Sequence, residues 1–318
     1  MVTERRDGSS ESVPSERVIG DSTTRRDPRS SLGPILAVLG VAVLFGTTGT
    51  ALAKAPAGTD PLAAGSVRLL VGGSVLCLVA GRRLSVWREH RRVLSIGSLG
   101  VAVYQLGFFQ ATQRTGVALA TVITIAVSPL ASRLIGSIRG RPAPAPLWYL
   151  AASMIGVGLV LLVGSGSERI DTDTLGIAAA VLAGASYALY TEAGSTAIGR
   201  GADSTGTMAL LFLGGGVIAS PVLFVRDLGW LGEGRGLVVM AWLALVTLSL
   251  AYVAFGWGLR TLAPTTVVML TLLEPAVAAV LAVTFLDETM SGAAWVGAVL
   301  VVAAMPLVAL SARTTVRT

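Results

Sequence analysis

Glu274 and Pro275 stand side by side in the apolar run LLEPAVAAV, residues 272–280. A carboxylate in apolar surroundings is costly unless it has a partner or a task. A proline inside a helix removes a backbone donor, strains the preceding turn and here frees the carbonyl of Thr271. A second ionisable group, Arg68, lies in another apolar run. Thr121, Thr124 and Ser128 recur at i, i+3 and i+7, which puts three hydroxyls on one helix face. Thr47 and Thr48 sit in GTTGT, and Tyr187 and Tyr252 bring phenols into further apolar stretches. Together these residues suit reversible binding. The carboxylate would take up a proton or an amine, the guanidinium would hold an anionic group, and the hydroxyls would orient a small molecule. Pro275 and Pro129 are the candidate helix kinks.

Each group also has a plainer role. A protonated Glu274 could bond a neighbouring helix, and polar groups nearby could satisfy the turn that Pro275 breaks. Arg68 could snorkel to the headgroups. Serine and threonine in membrane helices often bond to carbonyls of their own helix, and GTTGT suits close helix packing. Aromatics near span ends act as interfacial anchors. Lys54 and Glu192 read first as boundary charges ending the first and sixth apolar runs.

Other chemistry lacks its parts. The single histidine, His90, lies among arginines in RRLSVWREHRR, and the single cysteine, Cys77, lies in an apolar run. No His/Cys ligand set for a metal follows from these, and a Ser/His/Asp triad would have to use His90. No glycine-rich phosphate loop opens a helix after a strand. No catalytic residue, metal or cofactor is assigned.

The surroundings of these groups are set by composition. The 318 residues are 53% hydrophobic and only 13% charged, and the mean hydropathy is +0.75. Soluble domains carry about 25% charged residues, so the chain reads as a multi-pass membrane protein. Its pI near 10.2 does not indicate nucleic acid, because the basic residues sit in short loops and the tail. Residues 1–33 are polar and mixed in charge, and are expected to be disordered.

A span needs roughly 20 helical residues. Ten candidates follow: 34–54, 61–81, 93–112, 116–136, 147–165, 174–195, 205–225, 237–258, 264–286 and 291–311. With the N-terminus inside, 17 basic residues fall in inner segments and 5 in outer ones, leaving only Arg68 and Arg133 within spans. That bias predicts both termini in the cytoplasm.

The sequence also repeats. FFQATQRTGVALATVITIAVSPL, from Phe108, shifted by 146 residues meets AFGWGLRTLAPTTVVMLTLLEPA. Arg114 then falls on Arg260, Thr115 on Thr261 and Pro129 on Pro275, while Thr121, Thr124 and Ser128 fall on Val267, Leu270 and Glu274. Five spans per repeat is an odd number, so the halves must be inverted, as in many secondary transporters with midplane sites. The expected fold is an all-α membrane protein of ten transmembrane helices in two inverted five-helix repeats, 34–165 and 174–311, with a cytoplasmic tail at 312–318.

At this point the chain resembles the EamA-type branch of the drug/metabolite transporter superfamily, over residues 34–311. The resemblance is carried by FGTTGTALAK (45–54), PLAAGSVRLLVGG (61–73), SPL (128–130), ASYALYTEAG (185–194), LLEPAVAAVLAVTFLDET (272–289) and GAAWVGAVLVVAAM (292–305). Its most specific element is the Glu274–Pro275 pair followed by Glu288. The resemblance implies ten helices around a central cavity and transport of a small metabolite, often export of an amino acid or related compound. Because family members with different cargo share the Glu-Pro pair, it also favours the structural role for Glu274. Glu192 departs from the family pattern, which calls for an apolar or basic residue. The implied partners are a small-molecule substrate, the lipid bilayer of the cell membrane and, as a candidate, protons. The competing class is a non-transporting membrane protein such as a lipid scramblase or scaffold.

Because the tail contributes almost no apolar surface, deleting residues 1–30 is expected to leave insertion and transport near those of the full chain, with some orientation error from its six lost arginines. Transport assays on correctly inserted truncated protein check this; complete loss would assign the tail a function.

Overall fold

The computed structural model of the chain describes residues 32–164 and 173–314. Most of the predicted tail, residues 1–31, lies outside the described residues, while Leu32 and Gly33 already belong to the first helix. Among the described residues every regular element is helical. Ten helices run in chain order: α1 (Leu32–Ala53), α2 (Pro61–Ala80), α3 (86–115), α4 (117–138), α5 (Pro146–Gly164), α6 (Thr174–Gly199), α7 (Ser204–Ala219), α8 (Gly234–Gly258), α9 (Pro264–Phe285) and α10 (Gly292–Thr314).

The boundaries differ from the hydropathy reading where polar residues stay helical. Helix α3 begins at Val86 rather than at 93, because VWREHRR extends it beyond the apolar stretch. No loop separates α3 from α4. They form one run that breaks only at Gly116, with φ 80° and ψ 159°. That backbone is open to glycine and strained for residues with a side chain.

Three helices begin at an aspartate cap, a role suited to a short acceptor facing free backbone amides. Asp60 accepts from Ala63 N at 2.9 Å, Asp173 from Gly176 N at 2.8 Å and Asp203 from Gly206 N at 2.9 Å. Asp173 also pairs with Arg114 at 3.2 Å. The Gly176 amide first, and the Arg114 charge after it, hold its carboxyl below the usual carboxylate range.

The other two aspartates make a crossed pair of ion contacts: Asp60 with Arg226 at 3.1 Å, and Asp203 with Arg83 at 4.0 Å. Both acids and both arginines are related by a shift of 143 residues. The start of α2 therefore meets the segment after α7, and the start of α7 meets the segment after α2. The two helices lie antiparallel, as inverted repeats require. Partly exposed pairs of this kind contribute little energy; they report the geometry.

The axis of that inversion passes through glycines. A Cβ on Gly73 of α2 would lie 2.6 Å from the amide nitrogen of Leu213 in α7, and one on Gly216 of α7 would lie 2.8 Å from that of Leu70 in α2. Gly73 and Gly216 are again 143 apart. The same reciprocity joins α5 to α10, where a Cβ on Gly158 would reach 2.7 Å from Gly297 O and one on Gly297 would reach 2.3 Å from Gly158 O. Small residues let helix backbones approach closely, the dominant way to gain packing in lipid.

Single cysteines at Arg82, after α2, and Asp287, after α9, both exposed, are expected to label from opposite membrane faces in a Cys77→Ala background, with Arg82 on the cytoplasmic face. Labelling of both from one face would overturn the ten-span topology.

Candidate functional site

Helix α9 breaks where the Glu-Pro pair sits. The amides of Leu272 and Leu273 reach back only three residues, to Met269 O and Leu270 O, each at 3.3 Å. A new helical segment then starts at Glu274, with Pro275 in its first turn. The proline thus occupies a helix start, where its missing N–H removes no bond. Glu274 stands at the end of the segment whose dipole favours a carboxylate. Pro129 behaves differently, lying within unbroken helical dihedrals in α4. The break also divides environments. Val267, Val268, Met269 and Leu270 are fully buried, whereas Val277–Val283 are half-buried or exposed.

Around the break stands a wall of aromatics. Thr271 donates its hydroxyl to Val268 O at 2.8 Å, so Tyr187, 2.8 Å from the same oxygen, is the donor to Thr271. The Tyr190 and Tyr252 hydroxyls bond at 3.0 Å. Tyr104 packs on Tyr187 with ring centroids 5.5 Å apart, and Tyr252 is flanked by Phe45 at 5.3 Å and Phe212 at 3.7 Å. Glu274 and Arg68 lie close enough for their charges to act on each other and on Tyr104 and Tyr252.

Arg68 does not form a direct ion pair with Glu274. It donates from one terminal nitrogen to Thr247 O at 2.9 Å, while its Nε is buried without a hydrogen-bond partner. The carbonyl it uses is offered by a π-helical segment, Trp242–Leu250, in α8. There the Ala251 amide, which an α-helix would aim at Thr247 O, donates to Val246 O and Leu248 O instead. π-Bulges recur at functional sites. Hydropathy carries no trace of this one, since the segment WLALVTLSL is apolar apart from Thr247 and Ser249.

The predicted hydroxyl stripe does not line a common surface with Glu274. Thr124 donates across to Ala180 O of α6 at 3.2 Å and Ser128 donates to Thr124 O at 2.7 Å; both are buried. Thr121 is half-buried. The carbonyls of closely packed helices claim the hydroxyls, the plainer of the two roles. Thr47 likewise donates to Leu44 O at 2.7 Å and accepts from Trp242 Nε1 at 3.0 Å, and Thr48 is half-buried. The structure therefore gathers Glu274, Arg68, Tyr187 and Tyr252, adds Tyr104, and assigns Thr47, Thr124 and Ser128 to packing. Among the gathered groups Tyr187 and Tyr252 are buried, and Glu274, Arg68 and Tyr104 are half-buried.

Glu192 is not a boundary charge. Helix α6 continues past it to Gly199, and its side chain is 1% exposed. Its Oε1 accepts from Arg141 Nη1 at 2.9 Å and from Ser132 Oγ of α4 at 3.2 Å. Its Oε2 lies 2.8 Å from Arg141 Nη2, without an aligned hydrogen bond, and 3.6 Å from Arg139 Nη1. Thr196 ties the group together, donating to Glu192 O at 2.6 Å and accepting from Arg139. One turn beyond Ser128, Ser132 continues the hydroxyl stripe toward the basic loop RGRP; that convergence was the sequence signal for a buried acid. This charged cluster stands at the same end of the bundle as the buried half of α9.

The model of the EamA-like transporter family matches residues 32–164 and 174–310. An uncharacterised transporter of Bacillus subtilis (strain 168), YwfM, is 32% identical over 280 residues, covering 87% of this chain and 94% of the relative. Protein PecM of Dickeya dadantii (strain 3937) is 28% identical over 272 residues, covering 83% and 88%. A solved crystal structure superposes with a TM-score of 0.76 at 20% identity, covering 88% of this chain and 98% of that one, a likeness of fold.

Breaking a buried ion pair from one side costs about 3–5 kcal/mol. The Glu192 pair should fall near or below the lower bound, because Arg139 and Arg141 reach the surface. Arg141→Ala is expected to destabilise the bundle by about 2–3 kcal/mol on that scale, and Glu192→Gln by less, since glutamine keeps an acceptor for Ser132. Detergent-titrated unfolding of both variants checks the order; an unchanged Arg141→Ala would show that the pair does not hold the bundle together.

Proposed function

The chain belongs to the EamA-like transporter family, and on that premise we propose that it moves a small zwitterionic metabolite, an amino acid or related compound, out of the cytoplasm across the cell membrane by alternating access. The observation that carries the reading is Arg68, whose buried Nε has no partner, standing near Glu274 on the break in α9 with no direct ion pair between the two. Intramembrane ionisable groups left short of partners mark substrate or ion paths. Glu274 takes the ammonium group or, between substrates, a proton. Arg68 takes the carboxylate through the nitrogen that Thr247 leaves free, a charge-assisted contact favoured by the planar guanidinium. Tyr104, Tyr187 and Tyr252 supply the wall around the side chain.

The break supports the motion. Segments on either side of Leu272–Leu273 hold different environments, so the segment after the break can tilt while the one before it stays packed. Opening of the opposite face requires release of Glu192 from Arg139 and Arg141. Both termini face the cytoplasm in this reading, which sets this charged cluster, as a seal, on the cytoplasmic side.

Glu274→Gln is expected to fold, because glutamine keeps the shape of the protonated acid. Its uptake into proteoliposomes driven by a pH gradient should fall at least tenfold, while Pro275→Ala should slow cycling and leave the pH dependence as in the parent. A Glu274→Gln variant with the parent's rate and pH profile would overturn the role of this carboxylate. Arg68→Gln separates the other charge: it should raise KM for amino acids at least tenfold and spare amines that lack a carboxylate. Equal loss for both classes would overturn the carboxylate contact.

A further inference from the structure

Outside the seal lies a cavity of about 490 Å³, between the α4–α5 connection, the end of α6 and the joint of α8 with α9. Four arginines line it, Arg139, Arg141, Arg200 and Arg260, with no acidic residue in the lining. Leu259 and Leu262 form a buried apolar floor. Arg139 and Arg141 are held from behind by Glu192, which leaves a net charge of +3 on the cluster. Arg200 and Arg260 are exposed, and no ion pair to either is present among the described residues.

Arginine bias toward the cytoplasm explains why basic residues occur at this end. It does not explain why residues from three separate connections converge on one cavity, two of them around a buried acid and two free. Like charges at close range are unfavourable unless a counter-charge sits between them. Guanidinium forks arranged around a cavity are the ordinary recognition chemistry for phosphate.

We propose that this cavity is a binding site for a phosphate group, held by Arg200 and Arg260 and shared with Arg139 and Arg141, so that the bound anion competes with Glu192 for the arginines of the seal. A free phosphate compound and the headgroup of an anionic lipid offer the same chemistry. The site stands apart from Glu274 and Arg68, and its occupancy is measured by binding, whatever the transported substrate.

The test uses the full chain in nanodiscs of phosphatidylcholine. Inorganic phosphate is titrated at ionic strength held constant with chloride, and the thermal midpoint is followed. A parallel set of discs contains phosphatidylglycerol without added phosphate. The expected result is a saturable phosphate-dependent rise in midpoint. The apparent Kd should weaken at least tenfold in Arg200→Gln/Arg260→Gln and tighten severalfold in Glu192→Gln, where the competing carboxylate is neutral. A rise in the phosphatidylglycerol discs alone, lost in the double variant, would identify the lipid headgroup as the occupant. The absence of any rise in both sets, or an equal response in parent and double variant, would overturn the site. So would an unchanged affinity in Glu192→Gln for the competition with the seal.

Discussion

The backbones of α2 and α7 touch, and the rest of the architecture is arranged about that contact. In lipid there is no hydrophobic drive to bring apolar helices together, so association rests on close packing and interhelical bonds. Gly73 and Gly216 let each helix lay its backbone against the other's, and the crossed pairs Asp60–Arg226 and Asp203–Arg83 mark the direction of the crossing at its two ends. Gly158 and Gly297 repeat the device between α5 and α10. The remaining six helices pack around these two crossings.

The bundle holds charge in two contrasting ways. Glu192 is paired: Arg141 and Ser132 bond its Oε1, Arg139 and Arg141 crowd its Oε2, and Thr196 ties its backbone. Glu274 and Arg68 are kept near one another without closing into a pair, and one arginine nitrogen is left orphaned. Among the described residues the difference lies in ion pairing: Glu192 has two arginines within 3.6 Å, whereas Glu274 and Arg68 form no ion pair.

Much of this was legible in the sequence. The ten spans follow from apolar run length, and the inverted repeat follows from Arg114 and Arg260, Thr115 and Thr261, Pro129 and Pro275. Glu274 and Arg68 stand out because hydrocarbon makes any charge conspicuous. What was hidden depends on where side chains turn. Thr124 and Ser128 share a face, but sequence spacing cannot tell a helix neighbour from an open surface. Glu192 looked terminal because the apolar run faded before the helix did. The crossed aspartates were missed since their offset of 143 differs by three residues from the 146 that aligns α3–α4 with α8–α9. The π-helical turn that presents Thr247 O to Arg68 lies in that region of mismatch, and it changes hydrogen-bond register without altering composition.

The reciprocal glycines carry a consequence for assembly. At these glycines the two halves meet through equivalent positions, the arrangement of an isologous interface between two copies. The fit between the halves is thus a property of their surfaces. The covalent link between Gly164 and Asp173 contributes effective concentration, which strengthens an encounter without specifying it. A chain severed in that link would still present the same reciprocal glycine surfaces on its two halves.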